Sequence, residues 1–482
     1  MKKPETHPHD TRLENRLINE IMELLVTHFG GELSTEGLDE CIEDFQSAVQ
    51  IARSAHAEQV RKSGEPYFFH PLRVAHHAAR HWMDFASITA AILHDVVEDT
   101  PVTIDEVKGL FGAEVALLVN GLTKVDDERL NKEDLKIETY RKQLLAAIDD
   151  VRVLCLKFWD RIDNLRTISA LPPHKQARIA EETRKVYVPL AQHLGMGLVA
   201  DELDAKSLEI LYPRRAERYH RAVEELKQET ESQRRQIRSA IHHATDQHKI
   251  PISYKDRWRP FSIAAARATK RGLATLYTHE IQVDRTMDAY LVLGLLHGLY
   301  PPIPGKLRDH LNAPSPFGYQ ALKTSVQAGK HRLRVEITTR KFARFNESGV
   351  LAPGFDFETA NFQDLMRSLM EGESAIDTES LRLASSSIRV FTPNGEQRIL
   401  PEGSGVLDFA FEIHENLGLN AQRARINGKT RLLKSRLMDG DQVVIEKADD
   451  PQVLPKWLEW AVTPRARNAI RRYLRSKVRK GS

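Results

Sequence analysis

Two metal-ligand side chains, His94 and Asp95, close the apolar run Ile92-Leu93, and two carboxylates, Glu98 and Asp99, follow one helical turn later. At about 3.6 residues per turn, a helix here puts His94 and Glu98 on one face and Asp95 and Asp99 on the neighbouring one. Four ionisable groups so placed repel one another or are stranded when simply buried, and a divalent cation resolves both problems. The string predicts a helical metal site with acid/base residues beside it. His70, within Phe69-His70-Pro71, and Asp160, within Trp159-Asp160-Arg161, extend the set to two imidazoles and two carboxylates. Such a mixed donor set suits Mn²⁺, Fe²⁺ or Zn²⁺ and leaves positions open for water or phosphate oxygens, which favours catalysis over a closed structural site. Any one of these residues alone is more often an ordinary core or surface residue; the doublet with its acidic pair carries more weight.

The elements that must position them are mostly helical. Residues 14–211 show apolar positions at helical spacing, punctuated by Gly64-Glu65-Pro66 and Pro172-Pro173. Residues 214–249 are rich in Arg, Glu, Gln and His and read as one long, exposed connecting helix. After residue 250 strand-like runs such as Arg332–Thr338 alternate with helix-like runs and Pro/Gly loops, an α+β pattern. Loop and a short amphipathic helix near Phe362–Met370 are expected in 351–385, then a small β-rich module with a Pro393-Asn394-Gly395 turn and a basic helical tail.

A chain of 482 residues exceeds one ordinary core, so several domains are expected. A formal net charge of +3 implies no global polyanion-binding surface. Two distant cysteines, Cys41 and Cys155, give neither a disulfide framework nor a Cys-based zinc site, as in a reducing cytoplasm. With no apolar signal segment and no run long enough to span a membrane, a cytoplasmic protein is expected.

Longer strings around these residues resemble the hydrolase domain of the RelA/SpoT homologues, the HD-superfamily enzymes of (p)ppGpp metabolism. They are Arg61–Tyr67 with His70-Pro71, His94–Thr100, Gly121–Lys124, Asp160–Thr167 and Tyr187–Gly195. The resemblance implies that His70, His94, Asp95 and Asp160 hold one Mn²⁺. Glu98 and Asp99 would position and activate the attacking water, and Arg61, Lys62, Ser63, Asn164 and Thr167 would border the substrate. It implies release of pyrophosphate from the 3′ position of (p)ppGpp, leaving GDP or GTP.

Residues 250–350 resemble, more weakly, the synthetase domain of the same family, through Tyr290–Tyr300, Pro302–Asp309, Gly318–Thr324 and Val335–Ile337. Thr278 stands where the family has a Mg²⁺-binding Asp, and Lys255-Asp256-Arg257-Trp258 occupies the region of its phosphate-binding string. Glu336 remains, but one carboxylate cannot assemble a phosphoryl-transfer metal site. A pseudo-synthetase is expected, with Tyr319 and Glu336 marking a candidate nucleotide site. Residues 386–448 resemble a TGS domain, in which His414 matches a residue that meets tRNA in ribosome-associated members; the basic stretch Arg465 to Lys480 suits RNA phosphates. The chain ends without the zinc-finger and ACT regions of long members, so the usual complete regulatory apparatus is expected to be missing.

The expected architecture is multidomain: an all-α HD-type hydrolase domain (14–213), a helical linker (214–249), an α+β degenerate synthetase-like domain (250–385), a small β-grasp TGS domain (386–448) and a basic helical tail (449–482). The expected activity is Mn²⁺-dependent (p)ppGpp hydrolysis in the stringent response. The alternatives are a non-catalytic sensor tying nucleotide to tRNA, the ribosome or a protein partner, and a hydrolase of a related nucleotide such as ppApp.

Overall fold

The computed structural model describes residues 8–31, 33–125, 132–262, 276–312, 318–329, 331–353, 387–393, 397–401, 403–438 and 440–480. The segment around Phe362–Met370 and the Asn394-Gly395 turn lie outside them. The chain forms two compact units, residues 1–376 and 377–482.

The first unit begins as a helical assembly around the helix Phe85–Leu93, every residue of which except Ala86 is buried. Asp84 starts it, accepting the Ser87 N–H at 2.8 Å. The uninterrupted helix expected through His94–Asp99 is instead two pieces, Phe85–Leu93 and Val96–Asp99, joined by a turn at His94-Asp95. Both turn residues keep right-handed backbone, and the Asp99 N–H still reaches the Asp95 carbonyl at 2.9 Å, so the expected spacing of faces survives. The helices Phe69–Arg80 and Arg152–Arg166 flank this segment and carry the remaining candidate ligands. Ile88, Ile92, Leu93, Leu154 and Phe158 seal the core between them at no more than 1% exposure, each contributing about 1.5–3 kcal/mol.

The long helix Pro213–Gln247 is less solvated than its composition suggests. It buries Ala216, Tyr219, Val223, Ile237 and Ile241 along one stripe. Ile237 and Ile241 pack with Tyr277, Ile281, Val292 and Val335 of the following sheet domain, so this helix is part of a core as well as a connection.

The sheet runs β1 (Ser253–Trp258), β2 (Tyr277–Val283), β5 (His331–Thr339), β4 (Leu322–Ala328), β3 (Arg308–Asp309) in that spatial order. Only β2 and β5 are parallel; their register sets Glu280 beside Glu336.

The second unit has a hairpin, β6 (Ser387–Phe391) and β7 (Gln397–Pro401), the helix Val406–Ile413, and a sheet ordered β10 (Val443–Lys447), β8 (Ala421–Ile426), β9 (Lys429–Arg431). The basic tail does not stand apart: Trp457, Ala466, Ala469 and Ile470 join the same core as Val390, Phe409 and Phe411.

Candidate metal centre

His70 lies in the first turn of Phe69–Arg80, where Pro71 needs no helical N–H partner. The turn before it depends on Gly64, whose φ of +88° is a left-handed conformation open to glycine at little cost. Gly64 closes the loop in which the Arg61 N–H bonds the Glu65 carbonyl at 2.8 Å.

The structure brings the four expected ligands together. Donor atoms of His70, His94 and Asp95 lie within 4.8 Å of one another. His70 Nε2 is 3.4 Å from Asp95 Oδ2 and 3.2 Å from Asp160 Oδ1, and His94 Nε2 is 3.3 Å from Asp95 Oδ2. Donors bound to one ion at about 2.1 Å stand about 3 Å apart, so these separations suit a shared cation.

Proton bookkeeping supports the same fit. His94 Nδ1 donates to the Ala91 carbonyl at 2.8 Å, which leaves Nε2 as a buried lone pair with no hydrogen-bond partner. His70 Nδ1 donates to Asp163 Oδ2 at 2.7 Å, so its Nε2 faces the carboxylate oxygens of Asp95 and Asp160. Ring nitrogens facing carboxylates across about 3.3 Å need a positive charge between them, a proton or a metal ion. Burial pushes the His70 imidazole down, but hydrogen bonds to Asp160 and Asp163 and the charges of Asp95 and Asp160 outweigh it and raise it to about 9. Burial opposes ionisation of Asp95 too, yet His94 and His70 hold it below the usual carboxylate range; for Asp160, Lys157 and His70 do the same.

Asp163, to which the sequence reading gave no role, is fully buried and orients the site. Besides the His70 proton it accepts from Arg73 Nε at 2.6 Å and Arg61 Nη1 at 2.7 Å. Arg73 is in turn clamped by both oxygens of Glu65. Its position one turn after Asp160 is the only sequence signal that could have pointed to it.

The remaining candidates fall in three groups. Glu98 and Asp99 sit at the cluster's edge: Glu98 is paired with Lys124, and Asp99 shares the Tyr67 hydroxyl with Asp95 at 3.1 and 2.8 Å. Arg61 and Asn164 are bonded to each other at 2.5 Å, and Asn164 also donates to Asp160, so both are built into the centre. Lys62 and Ser63 are exposed on the loop, and Thr167 is half-buried at the end of the Asp160 helix. Tyr319 and Glu336 lie elsewhere, bonded to each other at 2.8 Å, and His414 is exposed in the second unit, where its Nδ1 caps the helix Glu415–Leu419.

A recess of about 300 Å³ adjoins the centre, lined by Lys124, Lys157, Arg161, Tyr140 and Tyr187 among others. Lys157 is 2.7 Å from Asp160 Oδ2, and Arg161 lies over the Tyr187 ring while paired with Glu182. Three cations thus stand beside the candidate ligands, each paired with a carboxylate, and the sequence reading assigned none of them.

The sheet domain also corrects one expectation. The reading from sequence left Glu336 as the only carboxylate near Thr278, but Glu280 stands beside it on the adjacent strand. Two alternating positions along β2 put Thr278 and Glu280 on one face, a relation that motif matching overlooked. Glu280 is ion-paired with Arg257 and accepts from Gln282.

An HD domain family model matches residues 48–197, covering the metal centre, and a TGS domain model matches 388–447. The chain is 33% identical over 458 residues to the guanosine-3′,5′-bis(diphosphate) 3′-pyrophosphohydrolase of Aquifex aeolicus, covering 91% of this chain and 65% of that protein. It is 35% identical to the bifunctional (p)ppGpp synthase/hydrolase SpoT of Escherichia coli, covering 92% and 66%. It is 32% identical to the GTP pyrophosphokinase rsh of Brucella ovis, covering 90% and 61%. The chain thus spans somewhat less than two thirds of the length of these relatives. The combination of an HD domain and a TGS domain defines the class, and within it the chain belongs to the RelA/SpoT homologue family.

Proposed function

We propose that the metal centre hydrolyses the 3′-pyrophosphate of (p)ppGpp, releasing pyrophosphate and GDP or GTP, with Mn²⁺ as its ion. The observation that carries this is the unpartnered, buried His94 Nε2 facing Asp95 and His70 next to a cationic recess. A bound ion would supply Lewis-acid polarisation of a phosphoryl oxygen and a more acidic water. His70, His94, Asp95 and Asp160 would hold it.

The rest of the chemistry belongs to side chains. Water bonds to the phosphorus attached to O3′, the P–O3′ bond breaks, and O3′ takes up a proton from solvent. Glu98, at the rim, accepts the proton of the attacking water, while Asp99, held by Tyr67, orients it. Lys124, Lys157 and Arg161 offset charge on the departing pyrophosphate. Arg61 and Asn164, locked by Asp163 and Asp160, present a fixed polar edge to the nucleoside, with Lys62, Ser63 and Thr167 around it.

The same proposal includes loss of synthetase activity. Thr278 offers no charge, and the Arg257 guanidinium already neutralises Glu280, where a metal ion would have to sit. Contact of the TGS module with tRNA or the ribosome, through the exposed His414, completes it.

Purified full-length chain with Mn²⁺, assayed against ppGpp, pppGpp and ppApp, should release pyrophosphate from the guanosine substrates. Asp160→Ala should abolish turnover. No turnover in the parent protein, or full activity in the variant, would refute the reading.

A further inference from the structure

The loop joining the helices Thr35–Ala55 and Phe69–Arg80 carries Arg61, Lys62 and Ser63, and two residues close its base. The Tyr67 N–H bonds the Gln59 carbonyl at 3.0 Å, and Val60 and Pro66 pair as an antiparallel bridge just inside it. The side chains of both base residues reach Asp99. Gln59 Nε2 donates to the Asp99 carbonyl at 3.0 Å, and the Tyr67 hydroxyl lies 3.1 Å from Asp99 Oδ2. Asp99 ends the short helix Val96–Asp99, so its carbonyl has no partner within that helix and Gln59 supplies one.

The Gln59 amide is held in one orientation. His56 Nδ1 is 2.8 Å from Gln59 Oε1, and an amide oxygen only accepts, so the ring proton sits on Nδ1 and the amide nitrogen faces Asp99. His56 is 2% exposed, its Nε2 has no hydrogen-bond partner, and its ring packs on Tyr67 with centres 4.8 Å apart. A buried ring nitrogen left unpaired is unfavourable, so this histidine lowers stability at that atom while it fixes Gln59 and Tyr67 as one unit.

The Tyr67 hydroxyl also lies 2.8 Å from Asp95 Oδ2, but one hydroxyl has one hydrogen and serves one carboxylate at a time. Asp95 Oδ2 already faces His70 Nε2 and His94 Nε2 at 3.4 and 3.3 Å. Among the described residues no other donor reaches the Asp99 carboxylate, so Asp99 depends on the hydroxyl more than Asp95 does.

We propose that Gln59 and Tyr67 are positioning residues for Asp99, which they tie to the base of the loop that presents Arg61, Lys62 and Ser63. The two ties keep the water that Asp99 orients in register with the nucleoside side of the site. The inference rests on the reading of this centre as a (p)ppGpp 3′-pyrophosphohydrolase.

Steady-state kinetics of the full chain with Mn²⁺ and ppGpp test it in Tyr67→Phe, Gln59→Met and the double variant. Displacing a group by about 1 Å at a reacting centre costs on the order of 10²-fold, so cutting one of two ties should lower kcat about tenfold. KM for ppGpp should stay within about threefold. So should the Mn²⁺ affinity, read from the spin resonance of free Mn²⁺ during a protein titration. The double variant should lose less than the product of the two single losses, because both ties hold the same residue. If Tyr67→Phe fails to fold, Gln59→Met carries the same expectation. No turnover by the parent overturns this inference together with the reading it rests on. An active parent whose kcat is unchanged in the single variants, with only the melting temperature lowered, overturns the inference alone. So do single losses that multiply in full, and so does an Mn²⁺ affinity about tenfold weaker in Tyr67→Phe, which would mean that the hydroxyl serves Asp95 instead.

Discussion

His70 can offer a lone pair to a cation only while its other ring nitrogen keeps its proton, and Asp163 is what keeps it there, at 2.7 Å. Asp163→Asn leaves a side chain of the same shape with no charge. It should raise the Mn²⁺ concentration needed for half-maximal turnover about 10–100-fold while saturating Mn²⁺ restores most of the rate. A metal titration of pyrophosphate release, alongside a thermal melt to confirm folding, measures this. A rate that saturating Mn²⁺ does not restore in folded protein would mean that Asp163 does more than orient His70. The candidate ligands could be grouped from the sequence, because a histidine–aspartate doublet followed by two acids is costly to bury without a cation. Asp163, Lys157 and Arg161 were not. Their roles depend on which faces of Arg152–Arg166 turn toward His70 and toward the recess, and spacing along one helix does not reveal its neighbours.

The helices Phe69–Arg80 and Arg152–Arg166 meet through aromatic rings as well as through the metal centre. His81, just past the first helix, stacks on Trp159 with centroids 4.4 Å apart, and His77 stacks on the same ring at 5.7 Å. Burial, with Arg80 adding to it, pushes His81 down to about 4; burial, with Arg166, pushes His77 to about 3. Both are therefore neutral in the folded chain at pH 7. As pH falls below about 6.5 the unfolded chain takes up protons that the folded chain refuses, so stability drops until the folded values are reached. His81→Phe keeps a ring on Trp159 but removes one proton site. The fall in melting temperature between pH 7 and pH 5 should be smaller in that variant than in the parent, as scanning calorimetry at the two pH values would show. At this scale the helices were readable from apolar periodicity. The break at His94-Asp95 was not, because a right-handed turn and a continuing helix place side chains almost identically. The long helix Pro213–Gln247 misled through composition: charges on three of its sides hid a buried stripe that only the neighbouring sheet explains.

Across the whole molecule, sequence resemblance marked out an all-helical region, an α+β region and a β-rich module, and the described residues follow that order. It could not show that Glu280 and Arg257 pair beside Glu336, a relation made by strand register. That pairing implies that restoring one carboxylate is not enough: Thr278→Asp should give no pyrophosphoryl transfer from ATP to GDP in a radiolabel assay. The division into two compact units has an energetic consequence as well. Trp457 is 2% exposed in the core of the second unit and comes from the segment that composition marked as a basic tail. Truncating a buried tryptophan removes apolar area and leaves a cavity that its neighbours fill only in part, a loss of about 3–5 kcal/mol. That is a large share of what a small unit has in reserve, whereas the core around His94 lies in the other unit. Trp457→Ala should therefore lower one calorimetric transition and leave the other in place, with Mn²⁺-dependent turnover unchanged below the lower transition. Loss of turnover at a temperature where the second unit alone has melted would show instead that the metal centre draws stability from the module that carries Trp457.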